Sequence, residues 1–327
     1  MKLQNHLYPA LGLAACVGVL ALIIGTNAVW LDTSSIIAIY GLLALSVGIS
    51  YGQAGILSVA QAAFAAIGAY ATAILCMRYD VSPFLTVFAS VLLPAVIAYP
   101  LARLVTRLSP LALAIATLVF GNIVDLSLRE GGNLTGGYIG LSGVPPIPFI
   151  TSPMLFNILA WSIVILVVVA YSNLIHSATG RALNTIRSDA LRATADGIDV
   201  GHERSMVLAL SAAVAGLSGW LYVHNSSYIG PDSLGPPLSL SVLLMAVVGG
   251  SRTILGPIMG AAVLTLIFKF IPAQEVQGIF YGGALIAVLL LAPRGLLGIR
   301  IGRWMAARKN TENAEKPLPQ VVARRPS

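Results

Sequence analysis

The chain has 327 residues, of which 57% are hydrophobic and only 9% charged. A soluble domain would carry about 25% charged residues, so this composition excludes an ordinary soluble protein and indicates a membrane protein. The net charge of +7 does not indicate a nucleic-acid-binding protein, because the basic residues gather in 181–204 and 294–325 without interleaved aromatic side chains.

Apolar runs follow one another along the chain, and about 20 such residues are needed to span a bilayer. The ten runs are 7–30, 36–49, 56–77, 84–104, 111–128, 155–174, 206–224, 238–248, 254–270 and 276–291. The first run follows Lys2 and could be a signal peptide, but it is longer than the apolar part of one. Since 36–49 and 238–248 are short for straight spans, we expect about 8–10 transmembrane helices in an all-α, polytopic fold.

Basic residues also indicate the orientation of these spans. If all ten runs cross the membrane, sixteen of the nineteen Lys and Arg residues lie on the side of the two termini. This asymmetry predicts a multi-pass plasma membrane protein with both termini in the cytoplasm. We predict a transmembrane permease domain over 1–298, and a basic cytoplasmic tail over 299–327 that is disordered.

Small residues at helical spacing predict close helix packing. Ala65, Ala69 and Ala73 lie four residues apart on one helix face, and Gly256 and Gly260 repeat this spacing. Lipid offers little hydrophobic drive for helix association, so such stripes indicate tight contacts between helices.

Polar side chains within the spans have two interpretations. Gln53, Gln61, Thr117 and Asn122 could line a translocation pathway. For Gln61 and Asn122 the alternative is hydrogen bonding between helices. Asp125 could also line the pathway, or it could be a solvated residue of the outer interface near Arg129 and Glu130.

The segment 132–153 is dense in glycine and proline and would lie outside the cell. It is too irregular for a helix. We expect either a loop that docks a soluble partner or gates the pathway, or a plain spacer between helices.

The segment 177–205 is the long charged stretch between apolar runs. Residues 180–186 are predicted to extend the preceding membrane helix. Ser188 is the predicted N-cap of a helix of about two turns that begins at Asp189, and Gly197 is predicted to end it. Such a helix could pass force from a soluble protein into the membrane, or it could be an ordinary solvated helix.

The sequence shows no motif typical of an ATPase, a metal site or a catalytic triad. None of the four lysines follows a glycine, as the phosphate-binding loop of an ATPase requires. The histidines show no metal or triad spacing, and Cys16 and Cys76 lie in apolar runs. We therefore predict no catalytic, metal or cofactor site, and we expect ATP hydrolysis in a separate subunit.

Several ordered motifs resemble one family. The segments GQAGILSVAQAAFAAIGAY, LTGGYIGLSGVPP, GRALNTIRSDALRATADGID and LAPRGLLG look like permease subunits of branched-chain amino acid ABC transporters, of the second-permease type. The resemblance covers about residues 36–298.

The resemblance implies a set of partners in the bacterial inner membrane. They are a second homologous permease, two cytoplasmic ATPases and an extracytoplasmic solute-binding protein, without nucleic acid. It also implies that residues 188–197 form the coupling helix. The expected ATPase-coupling residues are Arg187, Ser188, Asp189, Arg192, Asp196 and Gly197. Relatives of this type carry branched-chain amino acids, urea, short amides or other small polar solutes.

Two other classes remain as alternatives. A gradient-driven secondary carrier would use intramembrane carboxylates, but the acidic residues lie almost entirely at span boundaries. A membrane scaffold would form complexes without supporting solute uptake.

Overall fold

The computed structural model describes residues 12–13, 27–105, 108–150 and 152–270. The helices of these ranges are α1 Ala28–Val47, α2 Gln61–Tyr79, α3 Pro83–Val105, α4 Pro110–Glu130, α5 Pro153–His176, α6 Ala178–Ser188, α7 Ala190–Ala195, α8 Val200–Ser226, α9 Pro236–Gly249 and α10 Gly256–Phe270. A π-helical turn, Gly48–Gln53, continues α1, and a 3-10 turn, Pro231–Leu234, precedes α9. Strands β1 Leu141–Ser142 and β2 Tyr228–Ile229 pair antiparallel.

Seven helices in the described part of the chain are long and apolar enough to cross a membrane, and α10 is a shorter apolar helix. The predicted all-α, polytopic fold is confirmed. Two spans are longer than predicted. The run 36–49 lies in a continuous 26-residue span, Ala28–Gln53, and 238–248 lies in the 19-residue Pro231–Gly249. Most of the predicted run 7–30, all of 276–291 and the tail lie outside the described residues.

Helix starts follow local capping chemistry. Ser109 precedes Pro110 and caps α4, and the Ser152 side chain accepts a hydrogen bond from the Leu155 amide at the start of α5. Proline suits the first helical position because its missing N–H would be unpaired there anyway. The predicted run 56–77 begins too early, since residues 55–60 are not helical and Gly55 has φ +69°.

The core of the bundle is formed by close contact of α8 with α2 and α3. A Cβ atom at Gly216 would lie 1.9 Å from the Ser90 carbonyl oxygen of α3, and one at Gly219 would lie 2.0 Å from that of Ala65 in α2. Ala65, Ala69 and Ala73 are all fully buried. The predicted alanine stripe is therefore a packing seam, and its small side chains let the helix backbones meet.

A second seam joins α9 to α10. A Cβ atom at Gly260 would lie 1.8 Å from the Met245 carbonyl oxygen, and one at Gly249 would lie 1.8 Å from that of Gly256. The predicted packing role of Gly256 and Gly260 is confirmed.

The two ends of the bundle carry different structures. The end with α6 and α7 is called the inner end below, and the end with β1 and β2 the outer end. Helix α8 connects them, because α7 precedes it and β2 follows it. Its 27 residues correspond to a rod of about 40 Å.

Candidate functional site

The inner segment begins with a break in the chain. Helix α5 ends at His176, and Ser177 caps a separate helix, α6, by accepting a hydrogen bond from the Gly180 amide at 3.2 Å. Residues 180–186 therefore do not extend the membrane helix as predicted. Helix α6 is amphipathic and buries Leu183 and Ile186, so a new helix direction is needed to place these side chains in the core.

Helix α7 is shorter than predicted and is capped by a different residue. The Asp189 carboxylate accepts hydrogen bonds from the amides of Leu191 and Arg192 at 2.9 and 3.1 Å, whereas Ser188 is the last residue of α6. The prediction of Ser188 as N-cap is wrong by one position. An aspartate side chain accepts amide hydrogen bonds well at this position, and its negative charge suits the positive end of the helix.

The end of α7 is equally well defined. Asp196 occupies the C-cap position, and Gly197 follows with φ +81°. The amides of Gly197 and Ile198 donate to the carbonyls of Thr194 and Ala193. This pair of bonds is the Schellman arrangement, in which glycine adopts the left-handed conformation at little cost. Both ends of this short helix are thus held by their own side chains and backbone.

A polar groove of about 340 Å³ lies between α6 and α7. It is lined by Asn184, Thr185, Ser188, Asp189, Arg192 and Asp196. Four of the six predicted coupling residues lie in this groove, so the fold brings them together on one surface. Leu191, which the sequence analysis missed, is 85% exposed beside them. The sequence contains a signal for it, because a leucine between the charged residues Asp189 and Arg192 of a predicted solvent-facing helix is expected to be exposed.

Arg187 differs from the other predicted coupling residues because it points into the protein. Its guanidinium carbon lies 5.8 Å from the ring centroid of Tyr51 in the π-helical turn. The Arg187 side chain also lies beside Gly55, because a Cβ atom added to Gly55 would be 3.5 Å from the Arg187 Cγ atom. Burial, and secondly the positive charge of Arg252, lower the pKa of Arg187. Arg187 therefore contacts the end of α1 from α6.

The π-helical turn is held from two more sides. The Tyr171 hydroxyl of α5 donates to the Gly48 carbonyl at 3.1 Å and accepts from Gln53 Nε2 at 2.9 Å. A Cβ atom at Gly52 would lie 2.1 Å from the Ser251 carbonyl oxygen, so only glycine fits there. π-Helical turns are rare and are frequently found at functional sites. Gln53, a predicted pathway residue, is the last residue of this π-helical turn.

Gln61, a second predicted pathway residue, is buried among three helices. Its Nε2 donates to Ser211 Oγ of α8 at 3.0 Å and to Ser50 Oγ at 3.4 Å, and its Oε1 accepts from Ser46 Oγ at 3.1 Å. This geometry is that of hydrogen bonding between helices, the second of the two interpretations considered for it.

Thr117 of α4 is fully buried and supports the irregular segment before α2. Its Oγ1 accepts from the Val59 amide and donates to the Ala114 carbonyl, both at 3.0 Å. Asn122 differs, because its side chain is exposed at the middle of α4 and donates only to the Leu118 carbonyl at 2.9 Å within the described part.

The outer end is organised by ion pairs and by the loop before α5. Arg129 binds Asp125 through Nε at 2.9 Å and Asp232 of the 3-10 turn through Nη2 at 2.6 Å. The β1–β2 pairing fixes the 132–153 loop to the end of α8, and a ring nitrogen of His224 lies 3.1 Å from the Pro145 carbonyl oxygen. The loop is thus attached to the bundle at several points.

Comparison with known proteins gives consistent results. The family model for the permease component of the branched-chain amino acid transport system matches residues 29–289. The chain is 26% identical over 300 residues to the high-affinity branched-chain amino acid transport system permease protein LivM of Escherichia coli (strain K12), covering 81% of this chain and 69% of that protein.

Two further relatives extend this set. The chain is 25% identical over 286 residues to the probable branched-chain amino acid transport permease protein LivH of Methanocaldococcus jannaschii, covering 79% of this chain and 88% of that protein. It is 29% identical over 143 residues to the autoinducer 2 import system permease protein LsrC of Yersinia enterocolitica, covering 41% and 39%. No solved structure matches the chain significantly.

Proposed function

The chain belongs to the branched-chain amino acid transport permease family, and on that premise we propose that it carries a branched-chain amino acid, or a related small polar solute, through the membrane. It is the permease subunit of an ATP-binding cassette importer and not an enzyme. Two cytoplasmic ATPases supply the energy, a second permease completes the pathway, and an extracytoplasmic binding protein delivers the solute.

The observation that carries the coupling part of this proposal is the exposed, doubly capped helix α7. A short helix held at both ends moves as a unit, so a partner that pushes on it moves its neighbours too. The Leu191 side chain and the adjacent polar groove give a partner an apolar anchor with charged groups around it. Interfaces often concentrate their binding energy in such central anchors.

Two routes lead from α7 into the membrane part. Asp199 follows α7 closely and caps α8, because its carboxylate accepts from the His202 amide at 2.9 Å. This hydrogen bond is the main cause of the lowered pKa of Asp199. The second route runs through α6, where Arg187 lies against Tyr51. Movement of α7 would therefore reach α8 directly and α1 through Arg187.

The orientation follows from the positive-inside rule. Sixteen of nineteen basic residues lie on the side of α7 in the predicted topology, so the inner end faces the cytoplasm and both termini lie there. In this orientation a soluble ATPase can reach α7, and a binding protein can dock on the β1–β2 loop.

Asn122 supports a proposal for the helix that faces the second permease. A carboxamide with one hydrogen bond is costly in hydrocarbon, yet Asn122 is exposed at the middle of α4. The exposed face of α3 is lined by large apolar side chains such as Phe88 and Val96, which suit lipid. We therefore place the face of α4 with Asn122 against the second permease or the water-filled pathway between the two.

The test is purification of the tagged chain from its native membrane in mild detergent, with mass spectrometry of what accompanies it. We expect an ATPase and a second permease, and ATP-dependent leucine uptake by the complex in liposomes with its binding protein. Solute movement by the chain alone, without ATP, would overturn the proposal in favour of a secondary carrier.

A further inference from the structure

A stripe of polar residues runs along α4 from the middle of the membrane to the outer end. Asn122, Asp125 and Arg129 are spaced by three and four residues, so they lie on one face of the helix. Arg129 follows Asn122 by seven positions, which corresponds to a rise of about 10 Å. Asp232 continues the stripe from the 3-10 turn. These four residues are called the outer polar stripe.

The charges of the outer polar stripe are mixed and only partly compensated. Arg129 contacts Asp125 through two nitrogens, at 2.9 and 3.3 Å, and contacts Asp232 through Nη2 at 2.6 Å. One guanidinium thus faces two carboxylates, which leaves the stripe with a net negative charge. The Asp232 side chain is 85% exposed, so it is the partner that could most easily leave Arg129. Tyr138 covers the guanidinium at 5.6 Å.

A buried hydroxyl lies beside this stripe. Tyr70 of α2 is 2% exposed, and its hydroxyl has no hydrogen-bond partner within the described part of the chain. Helices α2 and α4 both start at the inner end and touch at Phe64 and Phe120, whose ring centroids are 5.4 Å apart. Tyr70 and Asp125 lie six and five residues beyond this contact in their helices, so they are at about the same level.

These groups match the chemistry of a zwitterion. A guanidinium binds a carboxylate in a planar, two-pronged geometry. A carboxylate in a poorly solvated site attracts an ammonium group. An unpaired buried hydroxyl is costly, so a polar ligand group that reaches it is favoured.

We infer that the outer polar stripe is an entry site for the zwitterionic head of an amino acid. The solute carboxylate replaces Asp232 on Arg129, the ammonium group binds Asp125 and the released Asp232, and Tyr70 hydrogen-bonds to the bound head group. Asn122 is the next polar group inward along the same face. This inference rests on the proposed function and specifies where the solute first binds the permease.

The experiment measures protection of Arg129 in the unaltered complex. The purified complex is treated with phenylglyoxal, which modifies arginine side chains, and modification is followed by mass spectrometry. We expect saturating leucine to slow modification of Arg129 at least fivefold, and leucinamide, which lacks the carboxylate, to slow it much less. Arg78, an exposed arginine at the outer end of α2, is the internal control and should be unaffected. Equal modification of Arg129 with and without leucine would overturn the inference.

Exchange of the charges of Arg129 and Asp232 distinguishes a role in solute binding from a purely structural ion pair. The double variant Arg129→Asp with Asp232→Arg keeps the net charge and the pair but moves the guanidinium off α4. We expect at least a tenfold lower maximal rate of leucine uptake with saturating binding protein. Normal uptake by the double variant would show that the ion pair has only a structural role. If the unaltered complex moved no leucine with ATP, the assignment of a branched-chain amino acid as the solute would fail, whereas uptake without protection of Arg129 would reject this site alone.

Discussion

The Arg187 guanidinium lies over the ring of Tyr51, 5.8 Å from its centroid, and joins the inner segment to the first described membrane helix. Arg187 is partly buried, and Tyr51 belongs to a π-helical turn that is also contacted by α5 and the 250–255 turn. Three structural elements thus converge on the place where α1 ends. Arg187 links the π-helical turn to α6, and α6 is followed directly by α7.

Substitution of Arg187 should uncouple the transporter without dissociating it. In Arg187→Gln, we expect leucine uptake to fall about tenfold, since a partly desolvated cation–π contact contributes about 1–2 kcal/mol and 1.4 kcal/mol corresponds to a factor of about ten. ATP hydrolysis and recovery of the ATPases should persist. The same loss in Tyr51→Leu, with no further loss in the double variant, would locate the effect in the pair. Loss of the ATPases from purified Arg187→Gln would instead place Arg187 at the subunit interface.

Leu191 should behave as an anchor for the ATPase. Because its side chain is 85% exposed, Leu191→Asp should leave the permease as stable as before. Truncation of an anchor costs about 2 kcal/mol or more, so recovery of the ATPases should fall by about 30-fold. Leu108→Asp, at an exposed leucine of the inner end outside the groove, is the matched control. Equal recovery from both variants would remove Leu191 from the interface.

Asp189 should stabilise α7 through its cap. Loss of an N-cap costs about 1 kcal/mol, so in Asp189→Ala the Leu191 and Arg192 amides should exchange hydrogen about fivefold faster. Asp189→Ser keeps an acceptor and should retain most of the protection. Hydrogen–deuterium exchange of peptides over 188–198 measures both. Unchanged exchange in the alanine variant would show that α7 is held by its neighbours alone.

Gly216 should be intolerant of any side chain. Since a Cβ atom there would lie 1.9 Å from the Ser90 carbonyl oxygen, Gly216→Ala must push α8 away from α3. We expect overpacking to cost about 1–3 kcal/mol and to lower the apparent melting temperature in detergent by on the order of 5 °C. Gly41→Ala is the control, because its Cβ would make an ordinary 3.5 Å contact with Ile258. Similar melting temperatures for the two variants would contradict the assigned seam.

Sequence reasoning succeeded where the physical signal is local or periodic. The alanine stripe at 65, 69 and 73 predicted a packing face because helical spacing alone determines which side chains share it. Turn residues likewise located α7 to within one position, although Ser188 and Asp189 are both good caps and the sequence does not distinguish them.

The remaining features depend on tertiary contacts. The family resemblance implied that Arg187 faces a partner, but the direction of its side chain depends on the chain break at Ser177, which turns Leu183 and Ile186 of α6 into the core. The π-helical turn depends on Tyr171, which is 123 residues from Gly48 along the chain. Such long-range contacts leave no pattern in a single sequence.

Helix α8 has α7 at one end and β2 at the other, so a single rod serves both faces of the membrane. Coupling free energies are reciprocal. In the proposed assembly, whatever factor ATP-driven closure imposes on the affinity for the binding protein outside, docking of that protein imposes on the affinity for ATP inside. Where that factor exceeds one, the loaded binding protein raises the affinity for ATP before any solute has entered the bilayer.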